Sequence, residues 1–151
     1  MNLGIKRLTT NDVSWFHPQS KSHQSGINLP LKAFKHMFTE LISRQDEERP
    51  PRQKFIVAWY DREGEIICDS ESEVVYYPSK NELRLLHIPK QNVGQFIEDG
   101  VHLLIRRGVD AQLTITCLPS SAEHLLRELG FTSLLDKLPP TSRGVADRDA
   151  A

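Results

Sequence analysis

The sequence lacks the features that mark several large classes of protein. It has two cysteines in 151 residues, too few for a disulfide framework or a four-cysteine zinc site. No apolar run approaches the roughly 18 residues that a membrane span needs, and no basic-then-apolar leader opens the chain. A formal net charge of −1 argues against a protein that coats nucleic acid by bulk charge. These absences predict a cytoplasmic protein that does not enter membranes.

Enzyme motifs are missing as well. The sequence has no nucleotide-binding glycine loop, no GxSxG elbow, no HExxH and no paired CxxC. The six histidines are scattered, and no carboxylate pair with a nearby lysine indicates a two-metal nuclease. We therefore predict no catalytic residue, no metal and no cofactor. An alternative stays open, because residues 111–131 resemble the last segment of an acetyltransferase, although the glycine-bearing pyrophosphate loop is absent upstream.

Length and composition favour one globular domain. The chain is 38% hydrophobic and 26% charged, which is ordinary for a soluble protein. At this length a chain can bury roughly two thirds of its unfolded surface. Two prolines followed by small and polar residues at 139–151 are typical of a linker or a frayed tail. We therefore expect a domain over residues 1–138 and a linker or disordered tail after it.

Hydrophobic periodicity predicts an α+β protein with a mainly antiparallel sheet or barrel. Strands are predicted where apolar residues alternate or cluster, at 5–8, 26–30, 54–60, 65–68, 73–77, 83–88, 113–118 and 131–135. Helices are predicted at 31–42, 93–107 and 120–129, where apolar residues recur every three to four positions. Residues 9–25 show neither period and are predicted to form an arm, with Trp15 and Phe16 anchoring it on the core.

Charge is distributed unevenly along the chain. Residues 1–36 contain five lysines and arginines against one acid, whereas residues 61–73 contain six acids against one arginine. A basic arm followed by an acidic strand pair would turn one face of the protein toward phosphate. The alternative is two solvated faces that have no partner.

Three segments in register resemble one family. They are residues 5–12 (IKRLTTND), 23–30 (HQSGINLP) and 69–85 (DSESEVVYYPSKNELRL). In this order they resemble the N-terminal effector-binding domain of EcoRII-type restriction endonucleases, a B3-like DNA-binding pseudobarrel. The resemblance covers residues 5–88. It implies an open barrel of seven strands with about three helices, which holds duplex DNA between an N-arm, ending at residues 23–28, and a C-arm at residues 79–84.

Base-reading residues follow from the positions of these arms. The resemblance assigns this role to His23, Gln24, Asn28, Lys80, Asn81, Glu82 and Arg84. Their chemistry agrees: lysine and arginine donate to guanine, glutamate accepts from cytosine, and asparagine or glutamine pairs with an adenine edge. Predicted phosphate contacts are the basic residues Lys6, Arg7, Lys21 and Lys32. Two alternatives stay open, namely a solvated charge ladder at residues 80–84 and a turn-capping role for His23.

The sequence therefore predicts a sequence-specific double-stranded DNA-binding domain. It would be the specificity or effector module of a bacterial type II restriction endonuclease. Because nothing in these residues would cut DNA, cleavage is expected from a nuclease domain elsewhere in the parent chain or from another subunit. Besides the acetyltransferase-like enzyme, a protein-interaction module is the remaining alternative.

Overall fold

Seven strands and five short α-helices alternate along residues 2–16, 26–44, 48–98 and 100–130, the parts of the chain that the computed structural model describes. The strands are β1 (Leu3–Arg7), β2 (Ile27–Leu29), β3 (Arg52–Tyr60), β4 (Ile66–Tyr77), β5 (Glu82–Leu86), β6 (His102–Arg107) and β7 (Gln112–Leu118). The helices are α1 (Thr10–Phe16), α2 (Leu31–Phe34), α3 (Thr39–Ile42), α4 (Lys90–Val93) and α5 (Ala122–Glu128), with 3₁₀ turns at Lys35–Met37 and Gly94–Phe96. The predicted α+β class is confirmed.

All seven strands belong to one mixed sheet in the order β1-β6-β7-β3-β4-β5-β2. Five of the six strand pairs are antiparallel, and β3 pairs with β7 in parallel. Helix α2 follows β2 directly and packs on β1, where a Cβ added to Gly4 would lie 2.5 Å from the ring of Phe34. Since α2 links the two edge strands, the sheet forms a nearly closed barrel. The predicted seven strands and mainly antiparallel pairing are confirmed, but the barrel is nearly closed rather than open, and the described helices number five rather than three.

The barrel interior is filled by alternate residues of the strands. Strand β5 places Leu83 and Leu85 inside, and β3 contributes the fully buried Trp59. The indole Nε1 of Trp59 donates to Ser70 Oγ at 2.9 Å, and Ser72 Oγ donates to the carbonyl of His87 at 3.0 Å. Because these serines are hydrogen-bonded, the strands predicted at 65–68 and 73–77 continue through them as the single strand β4.

The helix predicted at 93–107 is wrong. Residues 90–96 form α4 and a 3₁₀ turn, and the chain then reverses at Gly100, which has a φ of +80°. Strand β6 follows, with Leu103 and Ile105 buried between β1 and β7. The apolar positions fitted a helical period, but pairing with two neighbouring strands determines the conformation.

The predicted helix at 31–42 is interrupted. It consists of α2, a 3₁₀ turn and α3, and Phe38 lies between the last two with a φ of −129°. Phe34, Phe38 and Leu41 are all buried in the core, so the predicted apolar face is correct although the helix is not continuous. Helix α5 confirms the prediction at 120–129, but Ser121 rather than Ser120 precedes it.

An unpredicted helix, α1, occupies part of the proposed arm. The backbone N–H of Thr9 donates to Asp12 Oδ2 at 3.0 Å, and that of Asp12 donates to Thr9 Oγ1 at 3.1 Å. This reciprocal pattern is that of a capping box, which starts the helix. Trp15 and Phe16 are 7% and 1% exposed, so they anchor this segment as predicted. The prediction of an arm is therefore wrong for residues 10–16, and residues 17–25 lie outside the described part.

No helix within the described residues is long and apolar enough to cross a membrane. The strand predicted at 131–135, the domain end at residue 138 and the tail at 139–151 also lie outside the described part.

The burial of α1 makes its aromatic residues important for stability. Phe16→Ala should lower the free energy of unfolding by about 3–5 kcal/mol, because it removes a ring enclosed by the core. Ser14→Ala on the exposed side of the same helix is the control and should change it by less than about 0.5 kcal/mol. Urea unfolding of both variants tests this, and equal small effects would show that α1 contributes little to the core.

Candidate nucleic-acid interface

A polar surface lies on the outside of the barrel where β5 pairs with β2. Leu83 and Leu85 of β5 point inward. Because side chains alternate along a strand, Glu82 and Arg84 point outward. In β2 the same alternation places Asn28 outward, opposite Arg84 in the register. Three predicted base-reading residues therefore share one face.

These three side chains are connected through one carboxylate oxygen. Asn28 Nδ2 donates to Glu82 Oε1 at 2.9 Å, and Arg84 Nη2 lies 3.1 Å from the same oxygen. The side chain of Glu82 is 16% exposed and that of Arg84 is 28% exposed. We call Asn28, Glu82 and Arg84 the interface trio. Its members are held in place before any ligand arrives, yet remain open to solvent.

The turn that joins β4 to β5 adjoins the interface trio. Its last residue, Asn81, has a φ of +51°, a left-handed conformation that asparagine tolerates better than most residues. The hydroxyl of Tyr76 donates to Asn81 Oδ1 at 2.6 Å, which ties the turn to the barrel. Lys80, beside it, is exposed. The turn thus brings the predicted C-arm residues next to the interface trio, whereas His23 and Gln24 lie outside the described residues.

The predicted phosphate contacts are divided among different parts of the molecule. Lys6 is only 4% exposed and pairs with Asp12 at 3.2 Å, so its ammonium group holds α1 against β1. Arg7, whose side chain is 17% exposed, pairs with Glu123 of α5 at 3.0 Å. Both charges are used within the protein, and neither belongs to the surface around the interface trio. Lys32 is exposed on α2, directly after β2, and Lys21 lies outside the described residues.

The network around Arg7 also includes a buried histidine. His102 Nε2 lies 3.4 Å from Glu123 Oε1. Burial and the nearby charge of Arg7 lower the pKa of His102, and the contacts with Arg7 hold the pKa of Glu123 below its usual range despite partial burial. This group of charges fastens α5 to the barrel, so we assign it a structural role.

The sequence did not predict that Arg52 lies on the outer face of the barrel, the side that carries the interface trio. Arg52, Val75, Arg84 and Asn28 face one another in the register and form a row across β3, β4, β5 and β2. Arg52 Nη1 lies 3.2 Å from Glu73 Oε1, so it is held by a carboxylate as Arg84 is. The sequence predicts this strand only from residue 54, so residue 52 lies before it. Only the register between β3 and β4 places it in the same row as Arg84, with Val75 of β4 between them.

Two further observations concern catalytic chemistry. Among the described residues, no group of three or more histidine, cysteine, aspartate or glutamate side chains is arranged to hold a metal ion. Burial raises the pKa of Cys117 to about 12, and it also raises the pKa of Cys68. Both thiols therefore stay protonated near neutral pH, which makes them poor nucleophiles.

The bond between Tyr76 and Asn81 should determine how rigid the turn is. Tyr76→Phe should lower the free energy of unfolding by about 0.5–1.5 kcal/mol, the value of one hydrogen bond. It should also raise the fast backbone motion of residues 78–81, measured by ¹⁵N relaxation. Tyr77→Phe is the matched control and should leave those amides unchanged. Equal relaxation in both variants would mean that the hydroxyl does not restrain the turn.

A scan against models of protein families finds no match to this chain, and neither does a search of curated protein sequences. The function must therefore be inferred from the geometry of this outer face.

Proposed function

We propose that this chain is a B3-like domain that binds double-stranded DNA at a specific sequence. The observation that carries the proposal is the interface trio, in which an amide and a guanidinium are organised around one carboxylate on a partly exposed face of the barrel. The seven-stranded barrel-like sheet agrees with the architecture that the resemblance implies. The interface trio also lies at the positions to which that resemblance assigns base reading.

The chemistry of the interface trio suits base edges. Arg84 offers paired donors for guanine O6 and N7, Glu82 can accept from cytosine N4, and the amide of Asn28 can pair with adenine. A surface that only held phosphates would need cations and no carboxylate. The mutual contacts of the interface trio lower the entropy lost when these side chains bind, which favours affinity.

The location of the interface trio is also suitable for a DNA reader. Residues 17–25 lead into β2 at Gly26, whose position is close to Leu85 near the end of β5. The turn before β5 lies at the opposite end of that strand. Five residues of β5 span roughly 16 Å, the same scale as a major groove about 12 Å wide. The proposed N-arm, with His23, Gln24 and Lys21, and the proposed C-arm, with Lys80 and Asn81, would therefore flank the bases that the interface trio contacts.

In this proposal the domain serves as the specificity or effector module of a bacterial type II restriction endonuclease and works in the cytoplasm. Cleavage belongs to a nuclease domain of the parent chain or to another subunit.

Selection from a pool of random duplexes tests the proposal directly. The purified chain should enrich one short sequence and should leave the selected duplex uncut when magnesium is present. Its affinity should fall steeply with salt, because contacts to phosphates release counterions. Failure to retain any duplex at low salt would end the proposal. Cleavage by the chain itself would show that it is not a binding module alone.

Two variants should distinguish residues that read bases from residues that bind phosphates. Arg84→Ala should cost about 1–3 kcal/mol on the selected duplex and should flatten the preference at one base pair. Lys32→Ala should weaken all duplexes alike and reduce the salt slope by about one unit. Competition with point-substituted duplexes measures both effects.

Arg62→Ala is the control for these variants, because Arg62 pairs with Glu63 in the turn between β3 and β4, away from the interface trio. It should leave affinity and preference unchanged. Should Arg84→Ala and Lys32→Ala both cause the same uniform loss, the interface trio would be only a charged surface, and the base-reading assignment would be withdrawn.

A further inference from the structure

Helix α5 is attached to the barrel by little buried surface. It has seven residues, and Leu126 is the one residue of the helix that is buried. In the described part of the chain, its N-cap residue Ser121 makes no capping side-chain hydrogen bond. A helix of this length is not stable by itself in water, so α5 depends on its attachment to the barrel. An element with so few buried contacts opens locally at a lower free energy than the strands of the sheet.

A buried histidine lies at this attachment. His102 of β6 is 2% exposed, and neither of its ring nitrogens has a hydrogen-bond partner within the described residues. Its Nε2 lies 3.4 Å from Glu123 Oε1 of α5, without the geometry of a hydrogen bond. A buried polar group that lacks such a partner lowers the stability of the state in which it is buried. Movement of α5 would let water reach the ring.

The charged groups that face His102 belong to β1 and to α5. On β1, Arg7 lies directly opposite His102 in the register and pairs with Glu123 at 3.0 Å. On α5, Glu123 also lies 3.5 Å from Arg127. On β7, the residue opposite His102 is Leu118, which carries no charge. The carboxylate is therefore shared by two guanidinium groups, and a protonated imidazole would add a third cation to the same buried site.

We propose that α5 is an acid-sensitive latch, which stays on the barrel while His102 is neutral and opens when His102 takes up a proton. In the closed state the proton would enter a buried site beside Arg7, where the charge is poorly solvated. In the open state water solvates the imidazolium. Opening separates Glu123 from Arg7 and exposes Leu126 to solvent. This property is independent of DNA binding.

The direction of the pH effect follows from the same site. Burial, and secondly the charge of Arg7, lower the pKa of His102. The open state therefore binds more protons than the closed state below the ordinary histidine value of about 6.5, and closure loses stability as the pH falls through that value. The pKa of Glu123 is also lowered, so its contacts weaken only below the ordinary glutamate value of about 4.3. The range between these two values reports on His102 rather than on Glu123.

Amide hydrogen exchange of the full chain, measured by NMR and corrected for the intrinsic exchange rate, tests the latch. The amide of Leu129, which donates to the carbonyl of Leu125 at 2.9 Å, reports on α5, and the amide of Ile105 in β6 reports on the sheet. Between about pH 7.5 and about pH 5.5, protection at Leu129 should fall about tenfold, because the lower pH is about one unit below the value of a free histidine. Ile105 should be more protected than Leu129 at both pH values.

Two results for the wild-type chain would overturn the proposal. Unchanged protection at Leu129 would show that opening of α5 takes up no proton. Equal protection at Leu129 and Ile105 would show that α5 leaves the barrel only when the whole domain unfolds, so that no separate latch exists.

Two variants assign the proton to one histidine. His102→Gln keeps a polar side chain that does not titrate, so protection of α5 should change by less than about twofold over the same pH range. His124→Gln is the matched control, because His124 lies on the same helix, has an 84% exposed side chain and pairs with Glu128. It should retain the fall seen in the wild type. A fall of full size in His102→Gln would assign the proton to another group and contradict the proposal.

A second measurement on the wild type decides the matter if His102→Gln does not fold. The NMR titration of the His102 ring protons should have its midpoint below about 6.5, since the closed state resists protonation. A midpoint at or above that value would show that the closed site accepts the proton readily, and the latch would then not respond to acid in the proposed way.

Discussion

The alternation of side chains along β5 is the constraint on which the outer face depends. Leu83 and Leu85 are fully buried, so Glu82 and Arg84 must project from the other side of the strand. A slip of one residue against β2 would bury both charges and expose both leucines, which fixes the register. The core packing of the barrel thus determines where Asn28 meets the carboxylate. The proposed binding residues and the core residues thus share this strand and depend on the same register.

Much of the sheet could be predicted from the sequence, because β5 and β7 carry the apolar alternation of a half-buried strand and β3 carries a continuous apolar run. The prediction failed where two conformations fit the same residues. Residues 102–107 contain apolar positions at helical spacing, yet they form a strand because they pair with β1 on one side and with β7 on the other. Helix α1 was missed because residues 9–25 as a whole show no helical period, although the exchange of hydrogen bonds between Thr9 and Asp12 is a local start signal.

Part of the candidate site could also be predicted from the alternation of residues along one strand. Glu82 and Arg84 alternate within a strand, so their common face can be read from the sequence. Asn28 was named only through the resemblance, and its contact with Glu82 depends on pairing between strands more than 50 residues apart. The place of Arg52 in the sheet depends on the register of β3 with β4, which no local pattern encodes. Lys6 was predicted to contact phosphate because the sequence did not predict α1, whose Asp12 pairs with it in a buried position.

Among the described strands, β1 pairs with β6 alone, and β6 lies far along the sequence. During synthesis, the pairing is complete only after residue 107 has emerged. The two strands are roughly 100 residues apart in the sequence. At a synthesis rate of about 5–20 residues per second, β6 is therefore made about 5–20 s after β1. For that interval Ile5, which is fully buried in the finished barrel, stays exposed on an unpaired strand. The order of translation therefore leaves the N-terminal strand open to wrong partners longer than any other strand of the sheet.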